Sequence, residues 1–549
     1  VTEASAAVET ATRSGAGGSA PDATTRNVVL DHAETLLAEQ RPQDALALAT
    51  ALLTASPRDA GALVLAARAR VAQDRPDEAV PLYRQAIAAA PKEMTLKAEL
   101  GAQLLKEGWI GEGVACFVEA LRQSPESSGL YKAFGDGLYA NGLVEEAHDA
   151  FETALRLDPS SAAAANALGV THRHLGDREA AHEHYALAAR LASDNGFVLA
   201  NLTFNRPAPG RQVAKALRRV VNDESKDPEM VVPAHFALAS ISEAKGDFDT
   251  AFEHFERGNM LQKRLNAFDV DTFIEETQLR VEGVRRAIGR LRVEGRSSRR
   301  PIFIVGMPRS GSTLVERILS QHPDTRACGE LPHTQRLFHR IIDACDGDSR
   351  KVLSPDALNG FRRAYFGRVD ELAAPNMLTI DKALTNIAWL GMIALAIPEA
   401  LFIHTRRNPI ENCWGAYFRY FSQEGPKFCN SLDDVAKTYN FFEHLSCEWS
   451  ALFPGRIHRI ALEDLVERPE ATIRGLVDFV GLDWRDAFLH PEKSAHRPRT
   501  LSSGQVSAPI SRQRSAWRDY RAHLGPLFEA FGDPDDAVER SHGEALQAC

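Results

Sequence analysis

Apolar and polar positions along the first two hundred residues recur with a step of 34, and the punctuating residues recur in the same register. Pro57, Pro91, Pro125 and Pro159 stand on one ladder, with Ser193 at the next place. Asp74, Gly108, Gly142 and Gly176 form a second ladder, and Ala79, Gly113, Ala147 and Ala181 a third. The glycine-like position turns one helix into the next, the small residue lets two helices approach closely, and the proline ends the second helix. The pattern predicts an array of helix pairs. A further unit appears at about 232–265, marked by Gly246, Ala251 and Phe255, and the stretch from Arg206 to Asp227 breaks the period as a degenerate repeat would.

After a charged hinge, Arg296 to Arg300, the pattern changes. Pro301 to Val305 is a short apolar run of buried-strand type, Gly306-Met307-Pro308-Arg309-Ser310-Gly311-Ser312-Thr313 follows, and a helix is expected from about Thr313 to Gln321. Strand, glycine-bearing loop and helix together point backbone N–H groups at a phosphate. The spacing from Gly306 to Gly311 is that of a nucleoside-triphosphate loop, but Ser312 stands where such a loop needs lysine. Arg309 inside the loop suits an anion of lower charge. Leu378 to Ile380 reads as a second strand ending at Asp381-Lys382, followed by a helix from about Thr385 to Ala396. Ala400 to Thr405 reads as a third strand ending at Arg406-Arg407, followed by a helix from Pro409 to about Phe421 that carries Arg419. Ligands of parallel sheets bind at the carboxyl ends of strands, so these residues are expected on one rim.

The 549 residues exceed what one hydrophobic core organises, and 44% hydrophobic with 25% charged residues is ordinary for a globular chain. A net charge of −10 argues against a duplex-nucleic-acid binder. No apolar run reaches membrane-spanning length, and the first residues read as a disordered lead with no secretion signal. Seven scattered cysteines without a CxxC pair argue against a zinc ribbon or disulfide scaffold and make the cytoplasm the expected compartment.

The repeat array resembles the tetratricopeptide repeat (TPR), most clearly from Ser128 to Ser161, where Tyr131, Phe134, Gly135, Leu138, Ala147, Phe151, Ala154 and Pro159 fall in signature positions. The resemblance implies an α-helical solenoid with a surface for a peptide or protein, though packing or homo-oligomerisation would use the same surface. His172, His174, His182 and His184 read as solvated or packing residues.

The segment IVGMPRSGSTLVERILSQHPDTRACGE resembles the 5′-phosphosulfate element of sulfotransferases that use 3′-phosphoadenosine 5′-phosphosulfate (PAPS), with the nearest likeness to tyrosylprotein sulfotransferases and to bacterial enzymes that join TPRs to this domain. HTRRNPIENCWGAYFRYF resembles the 3′-phosphate element, and TLSSGQVSAPI the late loop over the nucleotide. The resemblance implies an α/β, P-loop-like domain around a central parallel sheet. It implies that Arg309, Ser310, Gly311, Ser312 and Thr313 cradle the 5′-phosphosulfate and that Arg407 and Arg419, with position Gly415, hold the 3′-phosphate. Lys382 would stand near the bridging oxygen with Ser502 beside it, Ser503, Gln505 and Val506 would line the late loop, and Glu330 would be the base. No metal is called for. Where the family usually has serine this chain has Gly415, and a tyrosine expected near the adenine is replaced in the segment Ile460 to Leu465.

The expected division is a lead at 1–26, repeats at 27–265, a helical linker at 266–299, the sulfotransferase domain at 300–535 and a tail at 536–549. The expected reaction is sulfuryl transfer to the hydroxyl of a peptide, protein or other large acceptor, releasing 3′-phosphoadenosine 5′-phosphate. His333 is the rival base to Glu330. Lys493, His496, Arg497 and Arg499 suggest a cationic lid, and one of Arg512, Arg514 and Arg518, on a helix, a further phosphate contact. The competing readings are a decayed nucleotide-binding or scaffolding protein and a P-loop kinase, the latter opposed by Ser312.

Overall fold

The computed structural model describes residues 22–73, 75–206, 210–293, 300–331, 333–344, 353–421, 425–494 and 515–533. The chain forms two compact units, one up to Thr171 and the other from His172.

Among the described residues of the first unit, helices Ala23–Ala38, Pro42–Ala55, Ala60–Ala72, Pro76–Ala89, Met94–Lys106, Ile110–Gln123, Ser128–Ala140 and Val144–Leu157 follow one another, and Ala162–Leu175 runs across its boundary. The ladders explain their ends. Pro57, Pro91, Pro125 and Pro159 each stand two residues beyond a helix terminus. Gly108 and Gly142 take φ of 74° and 83°, a left-handed turn that side chains resist. Ala79 and Ala147 are fully buried, and a Cβ at Gly113 would lie 2.7 Å from Leu105 Cγ. Side-chain caps start several helices: Asp59 accepts from the Ala62 amide at 3.0 Å and Ser127 from the Leu130 amide at 3.3 Å.

The second unit continues the helical pattern with Arg178–Leu191, Gly196–Asn205, Arg211–Asn222, Pro228–Glu243, Phe248–Leu265 and Val270–Ala287. Where the period breaks, a helix persists: Arg211–Asn222 buries Ala214, Leu217 and Val220 on one face and turns its basic residues outward. In the histidine cluster the rings of His172 and His184 stack at 5.1 Å.

Among the described residues five parallel strands follow, β1 (Ile302–Gly306), β2 (Thr325–Gly329), β3 (Leu378–Asp381), β4 (Leu401–Arg406) and β5 (Ile457–Ala461), in the order β2-β3-β1-β4-β5. Both faces are covered, as parallel sheets require. Phe303 and Val305 join one core with Phe402, while Ile302 and Ile304 join the other with Ile403 and Val477. The first core extends without a break to Phe236, Phe252 and Phe255 of the helix pair Pro228–Glu243 and Phe248–Leu265, and to Trp414 and Trp517. Among the described residues no helix is long and apolar enough to cross a membrane. Cys447 is disulfide-bonded, which the scatter of the cysteines did not predict.

Four elements differ from the sequence expectation. The helix after β1 is Ser312–Leu319, and the one after β3 begins as a tight 3₁₀ turn, Leu384–Trp389, before Leu390–Ala396. The helix after β4 stops at Tyr417, so Arg419 lies beyond its end and not on it. Tertiary contacts account for the early stop: Asn259 donates to the Tyr417 carbonyl and Gln262 to the Phe421 carbonyl. Arg518 and the fully packed Trp517 lie in the 3₁₀ segment Ala516–His523, where an α-helix was expected; Arg512 and Arg514 are outside the described residues.

Candidate functional site

Because all five strands run the same way, their carboxyl ends share one rim, and the loops after β1, β2, β3 and β4 meet there. The β1 loop is shaped by close approach. Gly306 has φ of 135°, and a Cβ there would lie 2.6 Å from the Thr405 carbonyl oxygen. Ser310 Oγ donates to the Met307 carbonyl at 2.6 Å or to Thr405 Oγ1 at 2.6 Å, so its hydroxyl is committed to holding the loop. Asn412 Nδ2 donates to the Pro308 carbonyl at 2.8 Å and ties the loop to the helix Pro409–Tyr417 after β4. Gly311, at φ of 92°, delivers the chain into Ser312–Leu319, and Ser312 and Thr313 are buried at that helix start. The first amides of the helix face the loop, the arrangement that receives an anion.

Arg309 takes the left-handed backbone conformation, φ 69°, which a bulky side chain seldom adopts. Burial pushes its guanidinium down to about 9, with Arg419 and Arg407 adding their repulsion. Arg407 Nη1 lies 3.5 Å from the Arg309 carbonyl oxygen. Tyr439 donates to the Arg407 carbonyl at 2.7 Å, Glu463 accepts from the Asn408 amide at 2.8 Å, and Glu411 pairs with the Arg407 guanidinium. Burial also lowers Arg419, partly offset by Glu243, and its guanidinium lies 4.5 Å from the Phe418 ring centre. Arg309 and Arg407 thus meet, Arg419 adds its charge to theirs, and a bound anion would offset both the burial and the repulsion that hold Arg309 down.

Gly415 sits between two of them. A Cβ there would stand 3.5 Å from Arg309 Cβ and 3.9 Å from Arg407 Nη1, ordinary contact distances. The glycine is therefore not a steric necessity. In the segment where the tyrosine is replaced, Leu462 packs over Gly311 at 2.9 Å from the position of an added Cβ.

At the end of β3, Lys382 is 1% exposed and its Nζ lies 2.6 Å from Glu330 Oε1 and 4.0 Å from Glu316 Oε2. Burial opposes the ammonium, but Glu330 and Glu316 outweigh it and hold Lys382 above its ordinary value. Glu330 follows β2 directly and keeps 56% of its side chain exposed, so one end of the ion pair faces solvent. Asp381, fully enclosed, is pushed up to about 7 by burial against the amides of Ala383 and Leu331 and the Thr334 hydroxyl. His333 begins the helix His333–Ala344, and its side chain is outside what is described. Ser502, Ser503, Gln505 and Val506, and the segment with His496, Arg497 and Arg499, also lie outside the described residues.

Sequence reading missed Glu316, Thr405, Asn412 and Glu411. Glu316 left a signal, an acidic residue inside the apolar run of Ser312–Leu319 that ends up wholly buried. Asn412 left none, since its role is fixed only by which carbonyl comes within reach.

Residues 301–486 match the model of the sulfotransferase family, and residues 36–104 and 132–196 match tetratricopeptide repeat models. An uncharacterized protein of Aquifex aeolicus is 29% identical over 346 residues, covering 61% of this chain and 46% of its own length. Protein-tyrosine sulfotransferase 2 of Gallus gallus is 23% identical over 261 residues, covering 42% of this chain and 69% of that protein. The protein-tyrosine sulfotransferase of Drosophila melanogaster is 25% identical, with 42% and 52% covered. The chain spans about half the length of the Aquifex and Drosophila relatives. Among solved structures, MamA from Desulfovibrio magneticus RS-1 superposes on 30% of this chain and 94% of its own, at TM-score 0.28 and 18% identity. Human IFIT1 superposes on 47% and 64%, at TM-score 0.36 and 16% identity. The chain thus joins tetratricopeptide repeats to a sulfotransferase-family domain, and the arginine cluster and the Lys382–Glu330 pair both lie inside that domain.

Proposed function

We propose that this chain is a sulfotransferase that takes its sulfuryl group from PAPS and passes it to an acceptor hydroxyl. The observation that carries the reading is the gathering of Arg309, Arg407 and Arg419 on the same rim as the Lys382–Glu330 pair. An adenosine phosphorylated at both its 3′ and 5′ ends offers two anionic groups to such a rim, and a triphosphate loop lacking its lysine does not favour ATP.

In the proposed cycle Arg309 and the amides of residues 310–313 hold the 5′-phosphosulfate, and Arg407 and Arg419 hold the 3′-phosphate. Glu330 accepts the proton of the acceptor hydroxyl as that oxygen bonds to sulfur. The bond between sulfur and the bridging phosphate oxygen breaks, and 3′-phosphoadenosine 5′-phosphate leaves. Lys382, already beside Glu330, stabilises the charge that develops on the bridging oxygen, with Ser502 proposed to assist. Alignment and charge compensation are the main demands of such a transfer.

The likeness to protein-tyrosine sulfotransferases and the repeats support a peptide or protein acceptor. A second reading, a domain that binds nucleotide without turnover, is motivated by Gly415 and the missing tyrosine. Calorimetry of the full chain with 3′-phosphoadenosine 5′-phosphate and with ATP, followed by transfer from labelled PAPS to a lysate, separates the readings. Preference for the bisphosphate with labelled product supports the enzyme. Binding without product supports the second reading, and a preference for ATP overturns both.

A further inference from the structure

The segment that carries Arg419 is held from outside the sulfotransferase fold. Asn259 and Gln262, three positions apart and so on one face of helix Phe248–Leu265, reach residues more than 150 positions later. Asn259 Nδ2 donates to the Tyr417 carbonyl at 3.0 Å, and Gln262 Nε2 donates to the Phe421 carbonyl at 2.6 Å. The two bonds bracket Arg419. Both amides are buried, at 2% and 5% exposure, where a polar side chain is costly unless it bonds. The same helix pair supplies the floor: Phe255 meets Phe418 and Trp414 edge-on at 6.0 Å, and Phe236 lies 5.6 Å from Tyr420. Glu243, at the end of the preceding helix, accepts from Tyr520 at 3.1 Å and acts on Arg419.

Resting on the sulfotransferase reading, we infer that Asn259 and Gln262 are positioning residues of the donor site, and that the last repeat hairpin sets the affinity for the 3′-phosphate by fixing Arg419. The helix after β4 stops where Asn259 captures its last carbonyl, and the segment beyond, held again at Phe421, carries Arg419 where its charge acts on Arg309. Linkage is reciprocal: a hairpin that sets nucleotide affinity is itself stabilised when nucleotide binds.

The test compares N259L and Q262M, which keep bulk and remove the donors, with V477A, which loosens the buried core on the other face of the sheet. The expected result is a dissociation constant for 3′-phosphoadenosine 5′-phosphate raised about tenfold in the amide variants, the size of one hydrogen bond lost between Arg419 and the charged phosphate. The donor KM should rise with kcat nearly unchanged, while V477A, at a comparable loss of melting temperature, should bind normally. Equal affinity in all four proteins would overturn the inference. For variants that fail to fold, hydrogen exchange on the unaltered chain decides: added nucleotide should slow exchange across helix Phe248–Leu265, and unchanged exchange there also overturns it. An unaltered chain that does not bind the bisphosphate at all is a different failure, that of the donor assignment itself.

Discussion

Replacing Glu330 by glutamine separates chemistry from stability at this site. The side chain keeps its shape, and the amide oxygen can still accept from Lys382 Nζ, now 2.6 Å from Glu330 Oε1. Glu330 is 56% exposed, so water screens its side of the pair, and the glutamine oxygen still meets the enclosed ammonium. Lys382 also keeps Glu316 at 4.0 Å. Folding is therefore expected to change little. The rate is not, because the amide cannot take the proton from the acceptor. Loss of a positioned base costs about a hundredfold to ten-thousandfold, or roughly 3 to 5 kcal/mol of barrier. The assay is the initial rate of label transfer from PAPS at saturating donor, beside calorimetry with 3′-phosphoadenosine 5′-phosphate. Turnover should collapse while the dissociation constant stays within about twofold, since Arg309, Arg407 and Arg419 are untouched. Unimpaired turnover in E330Q would refute the assignment and pass the role to His333, three residues along.

Three further outcomes follow from the geometry. In G306A the added Cβ meets the Thr405 carbonyl at 2.6 Å on a backbone with φ of 135°, so a loss of at least about 2 kcal/mol in urea unfolding and loss of nucleotide binding are expected; unfolding and binding like those of the unaltered chain would show that the loop tolerates the contact. G415S places its hydroxyl beside Arg309 and Arg407 without a clash and should tighten bisphosphate binding about tenfold in calorimetry, whereas weaker binding would mean that no phosphate rests there. Burial pushes His404 down to about 3, with Arg459 and Arg406 beside it, so its contribution is complete above pH 6.5 and is lost as pH falls from there toward 3. Asp381, raised to about 7 by burial, contributes in the opposite sense and loses its share as pH rises from 3.8 through 7. The acid limb of stability against pH should be shallower in H404Q, and an unaltered slope would exclude His404 as its source.

The repeat period and the strand–loop–helix at Ile302 were legible from single residues, because proline, glycine and buried strands act on their own neighbours. Gly108 and Gly142 turn where the ladder puts them, and Ser312–Leu319 starts where the loop glycine ends. Local rules also gave the cations at the strand ends, since parallel strands bring their carboxyl ends to one side. They failed at the helix after β4, which its own sequence would continue to Phe421 and which ends at Tyr417. That stop depends on Asn259 and Gln262, whose amides are indistinguishable in sequence from any solvated pair on a repeat helix.

The chain by itself determined which elements form and which charged residues stand at their ends, because capping, turning and strand burial are decided within a few residues. Only the tertiary structure decided that Arg309 is buried beside the charges of Arg407 and Arg419, that Lys382 is shared between Glu330 and Glu316, and that helix Phe248–Leu265 grips the segment between Tyr417 and Phe421. Such relations depend on distances between groups remote along the chain, and packing sets those distances after every local preference has been satisfied.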